Sequence, residues 1–312
     1  MAKFCKISLL VVCLAAVSLV SIDIFRSNLQ AEGFFVIARG DNILQIASNL
    51  KSQGYIGSRL IFIGNAVRSE NFRKMKAGRY EIKKGASHAA LIEKFTKFQS
   101  VLVNILIAPG KTTNDVARIL AQSRLVKRDE FLSLVLSRNL EGYLFPDTYA
   151  IDPAATSQDI IQQILDNFNQ KLTDDLRQAI IKQSRAVAEI ITMASILEKE
   201  VKTYPDKQMV AGILWKRDAN NLPLQVDSSL LYFLTSPHPD LIDKTVESAY
   251  NTYKYAGLPI GPICNPGLES IKAAIYPVTS DYWFYLSAPS GETIFAQTLG
   301  QHLINKAKYL TQ

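Results

Sequence analysis

The chain has 312 residues, 48% hydrophobic and 20% charged, a globular composition that excludes a disordered polymer. Its 35 basic and 28 acidic residues leave a formal charge of +7, which suits an anionic lipid surface or an acidic polymer. The basic residues form no arm or stripe with interleaved aromatics, so nucleic acid is not an expected partner.

Lys3 and Lys6 precede an apolar run from Ile7 to Ile22, broken only by Ser8, Cys13, Ser18 and Ser21. At about 1.5 Å per residue such a run covers most of a ~30 Å hydrocarbon core. The basic flank then makes residues 1–6 cytoplasmic, residues 7–25 a transmembrane anchor, and the remainder extracytoplasmic. A cleaved export signal, with Ala16 and Ser18 as the small residues before the cut, is the alternative. Val12 argues against a lipobox at Cys13. Both readings leave the body outside the cytoplasm.

A strand–glycine–helix pattern recurs in the body. Its first copy is Val36-Ile37-Ala38-Arg39-Gly40 followed by Ile43, Ile46, Ala47 and Leu50. A fainter copy is Tyr80-Glu81-Ile82 with Gly85, then Leu91, Ile92 and Phe95. Another reads Leu106-Ile107-Ala108-Pro109-Gly110, then Val116, Ala117 and Leu120. Asp41, Ser87, and Thr112 or Thr113 stand where helix N-caps belong. Units this small are expected to pack on one another.

Beyond residue 130 the pattern turns to longer helices separated by loops rich in Pro, Gly and Tyr. Thr156 and Asp159 read as a capping box, opening a helix with Ile160, Ile161, Ile164, Leu165, Phe168 and Leu172 on one face. A second helix is expected from Ser184 to about Lys202, and a third from Pro205-Asp206 through Trp215 to Asn220-Asn221. Tyr282–Leu286 and Thr293–Ala296 read as a hairpin across Pro289-Ser290-Gly291, and a last helix spans Leu299 to about Tyr309. The class is α+β, the second part α-rich with small sheets.

Cys264 is the one cysteine of the body, and His88, His238 and His302 have no partner at ligand spacing. No metal or cofactor is expected. No GxSxG, HExxH, Walker loop or GxGxxG stands in a strand-to-helix setting, which argues against serine and metal hydrolases. The second helix is apolar on nearly every face until Glu198, which shares a face with Ile191, Ala194, Ser195 and Val201. A carboxyl against apolar neighbours keeps its proton toward neutral pH, as a general acid for glycosidic cleavage must. Glu198-Lys199-Glu200 also fits an ordinary helix end emerging into water, and Glu200 competes, with Met193, Ile196 and Leu197 on its side.

Gln225 and Asp227 lie in a turn before another helix, where Asp227 also fits an N-cap. Tyr250-Asn251-Thr252-Tyr253 and Gly257-Leu258-Pro259-Ile260-Gly261-Pro262 suit the wall of a sugar cleft, with aromatic faces for pyranose rings and amides for hydroxyls. Generic turn chemistry explains the same Gly and Pro residues.

Five segments together resemble the endolytic murein transglycosylases, the MltG or YceG-like family. They are Leu140-Glu141-Gly142-Tyr143-Leu144-Phe145-Pro146-Asp147-Thr148-Tyr149, Ala194-Ser195-Ile196-Leu197-Glu198-Lys199-Glu200, Leu224-Gln225-Val226-Asp227, Tyr250-Asn251-Thr252-Tyr253, and Gly257-Leu258-Pro259 through Ile263-Cys264-Asn265-Pro266-Gly267. The resemblance implies an N-terminal span, a LysM-like strand–helix subdomain over residues 26–98, and a lysozyme-like catalytic domain over residues 99–312 that opens with a strand–helix repeat at 99–135. It implies cleavage of the MurNAc–GlcNAc bond of nascent peptidoglycan glycan strands, leaving 1,6-anhydroMurNAc ends and stopping elongation. Membrane-embedded peptidoglycan synthases are then the expected partners. The family's catalytic glutamate maps to Glu198, and Gln225, Asp227, Asn251, Tyr253 and Tyr143 are the candidate substrate contacts. A hydrolytic muramidase and an inactive peptidoglycan-binding scaffold are the alternatives. The chain departs from the family pattern at Pro109, which lacks an acidic neighbour of Gly110, at Ile260, where a proline is common, and at Thr293, where a histidine is frequent.

Overall fold

The structure is a computed structural model that describes residues 31–38, 40–97, 101–234 and 243–310. The expected cytoplasmic segment and transmembrane anchor lie outside the described residues. Among the described residues no helix is long and apolar enough to cross a membrane. Twelve α-helices and three two-stranded sheets are present among the described residues, in agreement with the α+β expectation. The chain divides into two compact units, one of residues up to 104 with 150–155, the other of residues 105–149 with 156 onward.

In the first unit, β1 (Gly33–Ile37) and β2 (Gly78–Ile82) pair antiparallel, from Gly33 opposite Ile82 to Ile37 opposite Gly78. Strand alternation turns Phe35, Ile37, Tyr80 and Ile82 inward. Helices α1 (Ile43–Ser52), α2 (Arg59–Arg68) and α3 (His88–Thr96) add Ile46, Leu50, Phe62, Leu91 and Phe95 to the same core. Two of the three repeated copies therefore fold together. The cap of α1 is Asn42, whose Oδ1 accepts from the N–H groups of Leu44 and Gln45, both at 3.0 Å. Asp41 instead accepts from Ala38 N at 2.9 Å and closes the preceding turn, so the cap expected there falls one residue later. The sequence pattern does not reveal α2, which buries only Phe62 and Ala66.

Strands β3 (Val103–Leu106) and β4 (Thr148–Ile151) also form a two-stranded sheet. In the second unit, α4 (Thr113–Gln122) starts from a Thr112–Asp115 capping box and packs on α5 (Arg128–Ser137). Helix α6 (Ser157–Lys171) starts at the expected Thr156–Asp159 box. The expected helix from Ser184 begins only at Val187. Ser184 has φ of +54° and lies after α7 (Asp174–Lys182), a short helix anchored by Leu176 and Ile180 that the wider apolar pattern masks.

Helix α8 (Val187–Glu200) is the centre of this unit, with every residue from Ile190 to Leu197 buried. A helix that is apolar all round must be enclosed. It is packed by α7, α9 (Tyr204–Ala219), α10 (Asp227–Leu234) and α11 (Leu268–Ile275). Ile190, Ile196, Val210, Leu214 and Ile271 share that core, each worth about 1.5–3 kcal/mol of burial. A Cβ on Gly212 of α9 would stand 1.9 Å from the Val278 carbonyl oxygen, so only glycine lets these backbones meet. The hairpin of β5 (Phe284–Ser287) and β6 (Thr293–Ala296) pairs Phe284 with Ala296 and Ser287 with Thr293. Helix α12 (Leu299–Tyr309) follows it as expected.

Candidate active site

Helix α8 ends at Glu200, because Val201 is extended (φ −140°, ψ 153°). Successive helical residues turn by about 100°, so Glu198 and Glu200 leave the last turn in roughly opposite directions, about 200° apart. Their surroundings differ accordingly.

Glu198 enters a closed setting. Its Oε2 accepts from Gly267 N at 3.0 Å and from the Ser270 hydroxyl at 2.7 Å, at the start of α11. Its Oε1 stands 3.5 Å from Lys207 Nζ on α9, in an ion pair whose side chains are only 12% and 6% exposed. A Cβ on Gly267 would meet both Glu198 Oε2 at 3.4 Å and Pro109 Cγ at 3.5 Å. The apolar setting expected for this carboxyl is not present: two donors and an ammonium surround it, and α11 uses it as a cap.

Glu200 opens onto a cavity of about 790 Å³. Its Oε2 accepts from the Tyr285 hydroxyl of β5 at 3.2 Å, and its backbone oxygen accepts from the Ser287 hydroxyl at 2.8 Å. Burial pushes its carboxyl above the usual carboxylate range against the pull of Ser228 and Tyr285, and the charge of Asp227 adds to the rise. The environment that the sequence reading attaches to Glu198 is thus found around Glu200.

Gln225, Asp227 and Tyr253 line the same cavity. Gln225 has φ of +59°, its N–H donates to Thr252 O at 2.9 Å, and its Oε1 accepts from Arg217 Nη2 at 2.7 Å. Asp227 opens α10; its Oδ1 accepts from the Tyr253 hydroxyl at 2.6 Å and lies 3.3 Å from Lys244 Nζ. Burial, then the bond to Asp227, drives the Tyr253 phenol up, and burial does the same to Tyr285, so both remain proton donors.

Asn251 and Tyr143 are not among the residues lining the cavity. Asn251 is 1% exposed and staples a loop: its Nδ2 donates to the Lys244 and Val246 carbonyls, while its Oδ1 accepts from Tyr253 N. It holds Lys244 and Tyr253 in place from behind. Tyr143 packs edge-on against Phe168, with centroids 5.2 Å apart. The residues around Tyr143 hold neighbouring elements together. Glu141 accepts from Thr113 N through both carboxylate oxygens at 3.1 Å, capping α4. Leu144 N donates to Asn265 Oδ1 at 2.8 Å. Gly142 has φ of +87°, and a Cβ there would stand 2.6 Å from Pro262 and 2.8 Å from Ile191.

Sequence reasoning passes over Arg217, Lys244, Trp283, Tyr285, His302 and Lys306, all of which line the cavity. Two signals point to some of them. The run Tyr282-Trp283-Phe284-Tyr285 is dense in aromatics, and His302 and Lys306 lie four apart on one helix face. His302 stacks on Phe284 at 5.3 Å, and its Nδ1 has no hydrogen-bond partner among the described residues. Among the described residues no His, Cys, Asp and Glu cluster suits a metal ion. Cys264 is buried beneath α8, its Sγ 3.4 Å from Ser195 O. What the cavity offers is one carboxyl pushed by burial above the usual carboxylate range, a second tied to a phenol and an ammonium, and aromatic walls. That is equipment for acid–base work on a hydroxyl-rich substrate.

Comparison with known proteins yields a match to the YceG-like family over residues 35–308. The chain is 30% identical over 305 residues to a protein of Bacillus subtilis (strain 168) named endolytic murein transglycosylase, covering 88% of this chain and 84% of that one. It is 26% identical over 319 residues to the endolytic murein transglycosylase of Streptococcus pneumoniae serotype 2, covering 88% of this chain and 58% of that protein. Among solved structures, a YceG-like protein of Listeria monocytogenes superposes with a TM-score of 0.60 at 28% identity, over 89% of this chain and 100% of that chain.

Proposed function

The chain belongs to the YceG-like family, and on that premise we propose that it is an endolytic murein transglycosylase whose acid is Glu200. The observation that carries the assignment is the position of the Glu200 carboxyl: in the cavity, raised by burial, and within reach of Asp227, Tyr253 and Tyr285. Glu198, to which the family motif points, has its carboxylate committed to α11 and Lys207.

In this mechanism protonated Glu200 gives its proton to the oxygen joining MurNAc to GlcNAc as the C1–O bond breaks. The 6-hydroxyl of the same MurNAc attacks C1, forming the 1,6-anhydro ring. The hydroxyl proton passes to the Glu200 carboxylate, which resets the acid. No protein nucleophile and no water enter the balance. Asp227 lies beside Tyr253 and Lys244, and its charge opposes ionisation of Glu200 and favours the oxocarbenium character of C1. Tyr285 holds the Glu200 carboxyl in one orientation.

The same reading extends to the rest of the chain. The basic-flanked apolar run at residues 7–25 supports a single inner-membrane anchor with the catalytic body outside the cytoplasm. The strand–helix unit over residues 26–98 is the LysM-like subdomain and a candidate glycan-strand reader; Phe34 on the outer face of its sheet, 45% exposed under the Arg79 guanidinium, suits such a role. Action on nascent strands makes membrane-embedded peptidoglycan synthases the partners.

Digestion of isolated glycan strands followed by mass analysis tests the assignment. Products ending in 1,6-anhydroMurNAc are expected. Reducing ends carrying one added water would make the protein a muramidase, and uncut strands would make it a binding scaffold.

A further inference from the structure

The cavity holds more positive charge than its acids can use. Lys199, Arg217, Lys244 and Lys306 line it, against Glu200 and Asp227. Lys244 is paired with Asp227, and Glu200 is the group held toward its protonated form. Arg217, Lys199 and Lys306 have no carboxylate partner among the described residues.

Arg217 is the most informative of the three. It is 8% exposed, yet every acceptor it meets is neutral. Its Nε and Nη2 donate to Pro223 O at 2.9 and 2.7 Å, Nη2 also donates to Gln225 Oε1 at 2.7 Å, and Nη1 donates to Trp283 O at 3.2 Å. A guanidinium has five N–H groups, so one on Nη1 is left over. Burial works against its charge, and a buried cation without a counter-charge is costly unless an anion arrives. Lys306 adds an ammonium group to the lining of the same cavity, whereas Lys199 Nζ donates to Gly110 O at 3.2 Å.

We infer that this part of the cavity is an anion subsite that takes a carboxylate of the peptide stems carried by the glycan strand, with Arg217 and Lys306 as its cations. The inference rests on the transglycosylase reading and adds substrate selection to it: the preferred substrate is a strand whose stems still carry free carboxylates. It also gives the chain's +7 charge a local use.

The test uses one batch of peptide-bearing strands, half of it with its carboxyl groups converted to amides by a carbodiimide and ammonia. Full-length protein should cut the native strands with kcat/KM about tenfold above the amidated ones, the weight of one charge-assisted contact. Arg217→Gln would also remove the bonds to Pro223 and Trp283, so Lys306→Gln carries the test; it should shrink the ratio to about threefold, as should 0.5 M salt on the unaltered protein. Equal cutting of native and amidated strands, with anhydro ends from both, would overturn the anion subsite and leave the transglycosylase standing. Neither strand being cut would overturn the transglycosylase reading itself, and the subsite with it.

Discussion

The two sides of the last turn of α8 treat a carboxylate in opposite ways. Around Glu198 a helix N-terminus, a serine hydroxyl and a lysine use up the oxygen atoms, and Pro109 and Gly267 close the space. Around Glu200 the Tyr285 hydroxyl donates to the carboxylate, and a cavity of about 790 Å³ begins. A carboxylate whose lone pairs are taken joins structural elements, whereas one with free lone pairs and a like charge beside it can exchange a proton with a substrate. Two positions of one motif, separated by Lys199, thus sit in one fastened and one open setting.

The sharpest way to break this comparison is to remove each carboxyl's proton chemistry in turn. Glu200→Gln should lower strand cleavage on the order of 10²–10⁴-fold, the usual weight of a general acid, with unaltered circular dichroism. Glu198→Gln should retain much more activity. If Glu198→Gln is as inactive as Glu200→Gln while melting like the unaltered protein, the catalytic role returns to Glu198.

Next in size is the stability arm. Glu198→Ala leaves Lys207 buried and unpaired and uncaps α11, so urea unfolding should show a loss of about 3–5 kcal/mol. Lys207→Ala should cost a similar amount, and the double variant less than the sum of the two, since each single change strands the other's charge. Additive losses would mean that the pair is not a unit.

The same contrast explains what can be read in the chain. Period and punctuation suffice for most elements: the Thr156–Asp159 box, the start of α9 beside Pro205, the hairpin and α12 all fall near their expected places. α2 and α7 escape because each buries only two side chains, too few to mark a period. The choice between Glu198 and Glu200 escapes for the opposite reason. A helix buried on every side carries no amphipathic mark, so the pattern cannot say which face meets solvent. Gln225, Asp227 and Tyr253 are legible as cleft residues because polar groups in a turn before a helix stay near the surface. Asn251 and Tyr143 resemble them in type, but a side-chain amide binds backbone as readily as sugar, and an aromatic ring suits a core as well as a cleft.

Tyr285→Phe probes the open side more gently. Loss of the hydroxyl removes a donor that favours ionised Glu200, so the carboxyl should keep its proton to a still higher pH. The alkaline limb of the kcat profile should therefore move upward, with kcat falling by no more than about tenfold. An unmoved limb would show that Tyr285 does not act on Glu200, and a downward shift that it favours the protonated form.

The smallest expected effect is also the one in which the two sides take opposite signs. Glu200 has a folded pKa above its unfolded value of 4.5, so the folded chain binds this proton more tightly than the unfolded chain does. Its contribution to stability is therefore most favourable below the unfolded pKa. It is lost as pH rises through the folded pKa, and beyond that the ionised group penalises the fold. Glutamine has no proton to lose. Glu200→Gln should melt higher than the unaltered protein at neutral and alkaline pH, and the gain should shrink as pH falls toward 4.5. Glu198→Gln breaks the pair with Lys207 and should melt lower at neutral pH. One chemical change made two residues apart would then raise stability on the side that does chemistry and lower it on the side that holds the helix. A fall in both variants at neutral pH would mean that Glu200, too, is held by structure rather than kept for a substrate.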